Sequence, residues 1–309
     1  MNLTQAGILA NAAKAAYHKD PLKSGLVNAR SIDRFNGECF SGFVASDEEK
    51  VILSFRGTET SIDSFDLLVS SVRQWLRNFN FAQTSTRGYK VHKGFENELN
   101  GVYRFIPQMV CDHGAGWKRL FVTGHSAGGA LATLAARRLS EDGLPVEGAY
   151  VFASPRVGDR SYADSYDVPL YRFEYQDDIV PHVPFSPSVM AILDSIVEDF
   201  YPVIETFFPS LMNYTPGSVE YVHAGQLFFV DWDNDLYSSA DFWDFLDTLF
   251  EDESPSPWQP MPKPLMDVGR FLNTMGNIKE FLSQGSFEFI KHHHLSGVVD
   301  LIGRLIKGR

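Results

Sequence analysis

Cysteine is almost missing from this chain. Only Cys39 and Cys111 occur in 309 residues, too few for a disulfide framework, so stability has to come from apolar burial. One pair and two free thiols are both open. Basic residues are also in short supply, 27 Lys and Arg against 39 Asp and Glu, for a net charge of -12. That balance argues against a nucleic-acid partner and against electrostatic docking on anionic lipid. Transient contact with a membrane or micelle surface would have to be apolar. No run reaches the roughly 20 apolar residues of a spanning helix. The first ten residues hold no Lys or Arg, and Lys14 interrupts the pattern soon after. No secretory signal is legible there, so cytoplasmic residence or export without a cleaved signal is expected.

Apolar and aromatic residues, by contrast, are plentiful: 44% of the chain is hydrophobic and 25 residues are Phe. Helix and strand patterns alternate along it. Leu3, Ala6, Ala10, Ala13 and Tyr17 share one side of a helix over residues 2–17, which Asp20-Pro21 ends. Phe35 to Ala45 and Lys50 to Phe55 are expected as two strands joined at 46–50. Phe95, Leu99, Val102, Ile106 and Met109 lie at helical spacing, while His92 just before them is expected to be a structural histidine. Further strands are expected at 148–153, 170–175 and 226–231. The alternation predicts an α/β fold with a mostly parallel sheet flanked by helices, one domain over residues 1–309. The Pro-rich acidic stretch 251–264 separates two helical patterns and marks no domain boundary.

Two segments are greasier than connections should be. Residues 59–81 carry Phe65, Leu68, Val72, Trp75 and Leu76, which suit either a packed helix or a lid that covers a site in water and opens against lipid. Residues 186–220 form a second apolar insertion, broken at Pro202 and Pro209.

The chemistry centres on one turn. The apolar run Arg119 to Thr123 stops at Gly124-His125-Ser126-Ala127-Gly128 and resumes with helical composition from Ala130 to Leu139. Strand, G-x-S-x-G, helix is the context of a nucleophile elbow. A serine lifted out of a sharp turn needs neighbours without bulk, which Gly124 and Gly128 provide. The helix N-terminus aims backbone N–H groups at an oxyanion forming beside Ser126. A serine needs a base, and the base an acid. Asp177 and Asp178 follow a predicted strand end, and His182, His223 and the run His292-His293-His294 lie downstream. On composition alone the histidine run is a solvated tract or weak metal site.

Five stretches in order resemble the class 3 lipase family, the group that includes the filamentous-fungal triacylglycerol lipases. They are Ser54-Phe-Arg-Gly-Thr58, Val91-His-Lys-Gly-Phe95, Gly124-His-Ser-Ala-Gly128, Ala153-Ser-Pro-Arg-Val-Gly158 and Asp178-Ile-Val-Pro-His-Val-Pro184. The resemblance implies an α/β-hydrolase with Ser126 as nucleophile, Asp178 as acid and His294, in its His-Leu-Ser segment, as base. It implies Thr58 and Ala127 as oxyanion donors, with no metal or cofactor required. It also implies a lipid ester as substrate at a lipid–water interface, with triacylglycerol lipase or carboxylesterase activity ahead of phospholipase A1, galactolipase or feruloyl-type esterase activity. A binding protein that keeps the fold without turnover is the reading from another class. Trp75 to Phe81 match the family's lid-end pattern, but the inserts before Trp75 and after Pro184 are longer than in the fungal enzymes, and their secretory disulfides are missing.

Overall fold

Near-continuous apolar runs give the inner strands two buried faces, and helices cover both. The computed structural model describes residues 1–38, 40–58, 81–175, 178, 180–184, 220–230, 236–238, 299–300, 302–304 and 306. In chain order the elements are α1 (Leu3–Ala15), β1 (Ser31–Asn36), β2 (Ser41–Ser46), β3 (Lys50–Phe55), β4 (Gln83–Thr86), β5 (Tyr89–His92), α2 (Lys93–Tyr103), α3 (Ile106–Asp112), β6 (Arg119–His125), α4 (Ala127–Glu141), β7 (Val146–Phe152), α5 (Arg160–Asp164), β8 (Leu170–Tyr175), β9 (Gln226–Val230) and β10 (Leu236–Ser238).

Among the described residues the main sheet runs β1-β2-β3-β6-β7-β8-β9-β10, and β4 and β5 form a separate hairpin. The inner strands β3, β6, β7, β8 and β9 are parallel, while β1, β2 and β10 add antiparallel edges. Phe55 pairs with Gly124 in register. The carboxyl ends of β3 and β6 are therefore level, and the loop after each opens at the same edge.

Strand alternation sorts the core. Val51, Leu53, Phe55, Val122 and Val151 face α2 and α4, whereas Ile52, Phe121, Tyr150, Phe152, Phe173 and Phe228 face α1 and Ile302. On that second face Phe152, Phe173 and Phe228 stack across three strands at centroid separations of 5.1 and 5.3 Å. Truncating Phe152 to alanine would cost about 3–5 kcal/mol. The alanines of α1 let its backbone approach the sheet closely. Ser54 donates its hydroxyl to the Ala12 carbonyl (3.0 Å), and the Thr123 hydroxyl reaches the carbonyls of Leu9 (3.1 Å) and Tyr150 (2.8 Å). On the other face Arg138 and Glu96 form a largely buried pair at 2.6 Å, so removing one partner would cost about 3–5 kcal/mol.

Two expected elements differ. The single strand over Phe35 to Ala45 is a hairpin, because Gly37 turns the chain and donates its N–H to the Phe40 carbonyl. The helix through Phe95 and Met109 is broken between Tyr103 and Ile106, with Pro107 in the first turn of α3, where a missing N–H is harmless. Cys111 is a free, exposed thiol, and Cys39 lies outside the described residues.

Candidate active site

Ser126 sits between β6 and α4 with φ 58° and ψ -133°, a left-handed conformation for a residue with a side chain. Such a conformation costs about 1–3 kcal/mol and persists only where the surroundings over-determine it. Here they do. The Ser126 N–H is held by the Phe152 carbonyl of β7 at 2.9 Å, and its own carbonyl accepts from Gly129 and Ala130. A Cβ on Gly124 would lie 2.2 Å from the Gly128 carbonyl oxygen, and one on Gly128 would lie 2.5 Å from that of Phe55. Only glycine allows this turn to close. The Ser126 side chain does not cap α4. The Ala127 N–H, at the first helical position, has no carbonyl of its own helix to meet.

The loop after β3 is pressed against this turn. A Cβ on Gly57 would come within 3.3 Å of the Ser126 Cβ, 2.8 Å of the His125 carbonyl and 2.3 Å of the Tyr17 hydroxyl. Thr58 follows directly and is half-buried. Tyr17 ties the two segments together: its hydroxyl accepts from the Gly57 N–H and lies 2.9 Å from His125 Nδ1. Burial pushes the Tyr17 phenol well above its usual range, against the opposing pull of the Gly57 N–H and Arg56, so it stays protonated. Its helical spacing was a core signal only, and nothing in the sequence marked it as a clamp.

Asp178 lies past the end of β8, two strands beyond β6, and is 2% exposed. Its carboxylate accepts from the Val180 N–H at 2.9 Å. The segment that follows is clamped by Arg156, which is buried and donates to the carbonyls of His182 and Pro184 (3.0 Å), while its N–H meets Val183 at 2.8 Å. Arg156 is a second supporting residue whose role only the fold reveals. Thr58, Ser126 and Asp178 thus stand after β3, β6 and β8 along the carboxyl edge of the parallel strands, where open α/β sheets bind ligands.

The histidines divide. His92 accepts the Phe95 N–H at 3.2 Å and caps α2, a structural part. His223 places Nε2 2.8 Å from the Pro181 carbonyl and 3.7 Å from Glu174. A carbonyl can only accept, so that nitrogen carries the proton and is committed to the loop. His182 is buried in the same loop. His294, with His292, His293 and Asp177, lies outside the described residues, as do Phe65, Leu68, Val72, Trp75 and Leu76 and all but the last residue of 186–220. Among the described residues no group of three His, Cys, Asp or Glu could hold a metal ion, and no helix is long and apolar enough to cross a membrane.

Residues 52–187 match the family model described as lipase (class 3). This segment belongs to the class 3 lipase family. It is 35% identical over 162 residues to secreted mono- and diacylglycerol lipase 1 of Fusarium solani, covering 46% of this chain and 48% of that protein. It is also 35% identical over 151 residues to a lipase of Rhizomucor miehei, covering 45% and 39%. The chain therefore spans about half the length or less of the curated relatives it matches. The class 3 lipase segment sits in an α/β-hydrolase fold. The solved triacylglyceride lipase of Rhizomucor miehei superposes with a TM-score of 0.56 at 21% identity, over 76% of this chain and 82% of that one. A triacylglycerol lipase described as having a serine protease triad at its catalytic centre gives 0.54 at 22%, over 76% and 82%.

The expected compartment is corrected. Relatives named as secreted, from Fusarium solani and Penicillium cyclopium, stand against the cytoplasmic option. The physical reason is that residues 3–15 are α1, a packed helix of the domain, so their composition reports on the core and not on export.

Proposed function

We propose that the chain is a serine carboxylic-ester hydrolase acting on lipid esters, with acylglycerols as the leading substrates. The observation that carries this reading is the strained Ser126 at the elbow, with Gly57 packed against it and Thr58 next in the chain. Ser126 Oγ attacks the ester carbonyl while His294 takes its proton. The N–H and hydroxyl of Thr58 and the N–H of Ala127 receive the oxyanion, each such donor being worth about 3 kcal/mol of barrier. Asp178 steadies the imidazolium, which returns the proton to the leaving alcohol, and water resolves the acyl-enzyme. Relatives named as lipases, and others named as secreted, support both the activity and an exported enzyme.

One hydrolase domain over residues 1–309 is the organisation we assign. On sequence, 59–81 is the lid and 186–220 the second cap, and Phe65, Leu68, Val72, Trp75 and Leu76 meet the acyl chain. The second reading, phospholipase A1 activity, has its own support in a rice protein named phospholipase A1-II 6, 26% identical over 193 residues. Rates on long-chain acylglycerol emulsions, short soluble esters and phospholipid vesicles separate the two. The proposal expects the emulsion to be fastest, with a rise above the substrate's solubility limit, and Ser126→Ala to be inactive on all three. Vesicles hydrolysed fastest would favour the second reading, and turnover by Ser126→Ala would defeat both.

A further inference from the structure

A cavity of about 330 Å³ opens at the end of the sheet opposite Ser126, between the β2–β3 turn and the loop from α3 to β6. That volume lies within the ~300–1,000 Å³ of small-molecule sites. Its floor is polar. His113 is buried, with Nδ1 3.0 Å from Ser46 Oγ and Nε2 3.0 Å from Asp33 Oδ2. The carboxylate only accepts, so Nε2 carries the proton and Nδ1 accepts from the Ser46 hydroxyl, which leaves the Ser46 lone pairs to accept from a ligand.

The walls are charged, and two of the acidic groups are paired. Arg30 is ion-paired with Glu48, and Asp47 is held by Lys50 at 3.9 Å and by two backbone N–H groups. Lys118 and Asp112 then contribute one charge of each sign. The lining therefore carries Arg30 and Lys118 against Asp47, Glu48 and Asp112, so an anion entering this cavity would find no net countercharge, while a neutral molecule would find donors and acceptors on several sides. At the rim Trp117 is 79% exposed, against 36–49% for the other large exposed apolar side chains among the described residues. Its loop is shaped to hold it there. Gly114 has φ +102°, and a Cβ on it would lie 3.0 Å from Trp117 Cε2 and 3.1 Å from the Lys118 stem. An open indole offers a flat apolar face and one N–H.

We propose that this cavity binds a neutral polyhydroxylated ligand, a sugar unit. One ring face lies on Trp117, and the hydroxyls meet Ser46, the Arg30–Glu48 pair and Lys118. A sugar is the ligand class that combines apolar C–H faces with an uncharged rim of donors and acceptors. The site does not depend on the ester-hydrolase reading, because it shares no residue with the Ser126 edge.

Calorimetric titration of the full chain with glucose, galactose, maltose and lactose tests it, with phosphocholine and glucose 6-phosphate as charged probes. The expected result is saturable binding of at least one neutral sugar with a Kd of about 1–10 mM. Trp117→Ala should weaken that binding at least about tenfold and leave hydrolysis of a soluble ester unchanged. Failure of all four neutral sugars to saturate would overturn the proposal. So would unaltered binding by Trp117→Ala, lost ester hydrolysis in that variant, or tighter binding of either charged probe.

Discussion

At the carboxyl ends of β3 and β6 backbone meets backbone, with Gly57, Gly124 and Gly128 leaving no room for a single methyl group. At the amino ends of the same strands, side chains meet across open space, and Arg30, Glu48, His113 and Trp117 stand around a cavity. The first arrangement holds Ser126 in a strained conformation and leaves the backbone around it no slack, the rigidity that transition-state stabilisation demands of a site. The second holds polar groups in mutual pairs that a ligand can share. On the two proposals above, one edge does chemistry and the other recognises.

The contrast can be broken most severely at the base. His294→Ala should lower kcat on a soluble ester by at least about 10³-fold, while His223→Ala, whose ring is committed to the Pro181 carbonyl, should lose less than about tenfold by the same comparison. The reverse order would move the base to the loop beside Glu174. Gly57→Ala comes next. Its methyl would strike Tyr17 and His125, displacing Thr58, so kcat should fall about 10²–10³-fold with circular dichroism unchanged. Full activity in this variant would mean the loop is not part of the oxyanion site.

Tyr17→Phe is gentler. It leaves the Gly57 N–H without its acceptor, a penalty of about 1–3 kcal/mol, and should reduce kcat about tenfold with little change in KM. A KM effect alone would assign Tyr17 to substrate binding rather than to positioning.

The smallest effect is on alkaline stability. Burial raises the phenols of Tyr17, Tyr89, Tyr103, Tyr150, Tyr162 and Tyr166, with Tyr89 and Tyr150 going from 10.0 to about 12. Between those values the unfolded chain has released protons that the folded chain still holds, so stability is complete below about pH 10 and is lost as pH rises toward about 12. A Tm that falls above pH 10 is expected. A flat Tm across that range would show that these rings are not held as the core of α4 and α1 requires.

Much of the carboxyl edge was legible because its chemistry constrains residue types. Only glycine fits at 124 and 128, so the elbow announces itself, and the strand over 170–175 is bounded by turn residues on both sides. The hairpin at Gly37 does leave a mark, the polar step Asn36-Gly37-Glu38 between Phe35 and Phe40, of the kind that turns a hairpin. The break at Pro107 is hidden because the helical spacing from Phe95 to Met109 runs across it. Tyr17 and Arg156 act through the backbone groups they hold, at Gly57 and at His182 and Pro184, and partners so distant in sequence leave no periodic trace. The amino edge was invisible for the same reason: Ser46, His113 and Asp33 come together only after β1, β2 and α3 have packed.

Active-site titration with an alkyl fluorophosphonate, followed by peptide mapping, tests the central claim most directly. One adduct per chain, on Ser126, formed in step with the loss of ester hydrolysis, is the predicted result. A stoichiometric adduct on any other residue, or full hydrolysis by a chain whose Ser126 is wholly modified, would contradict it.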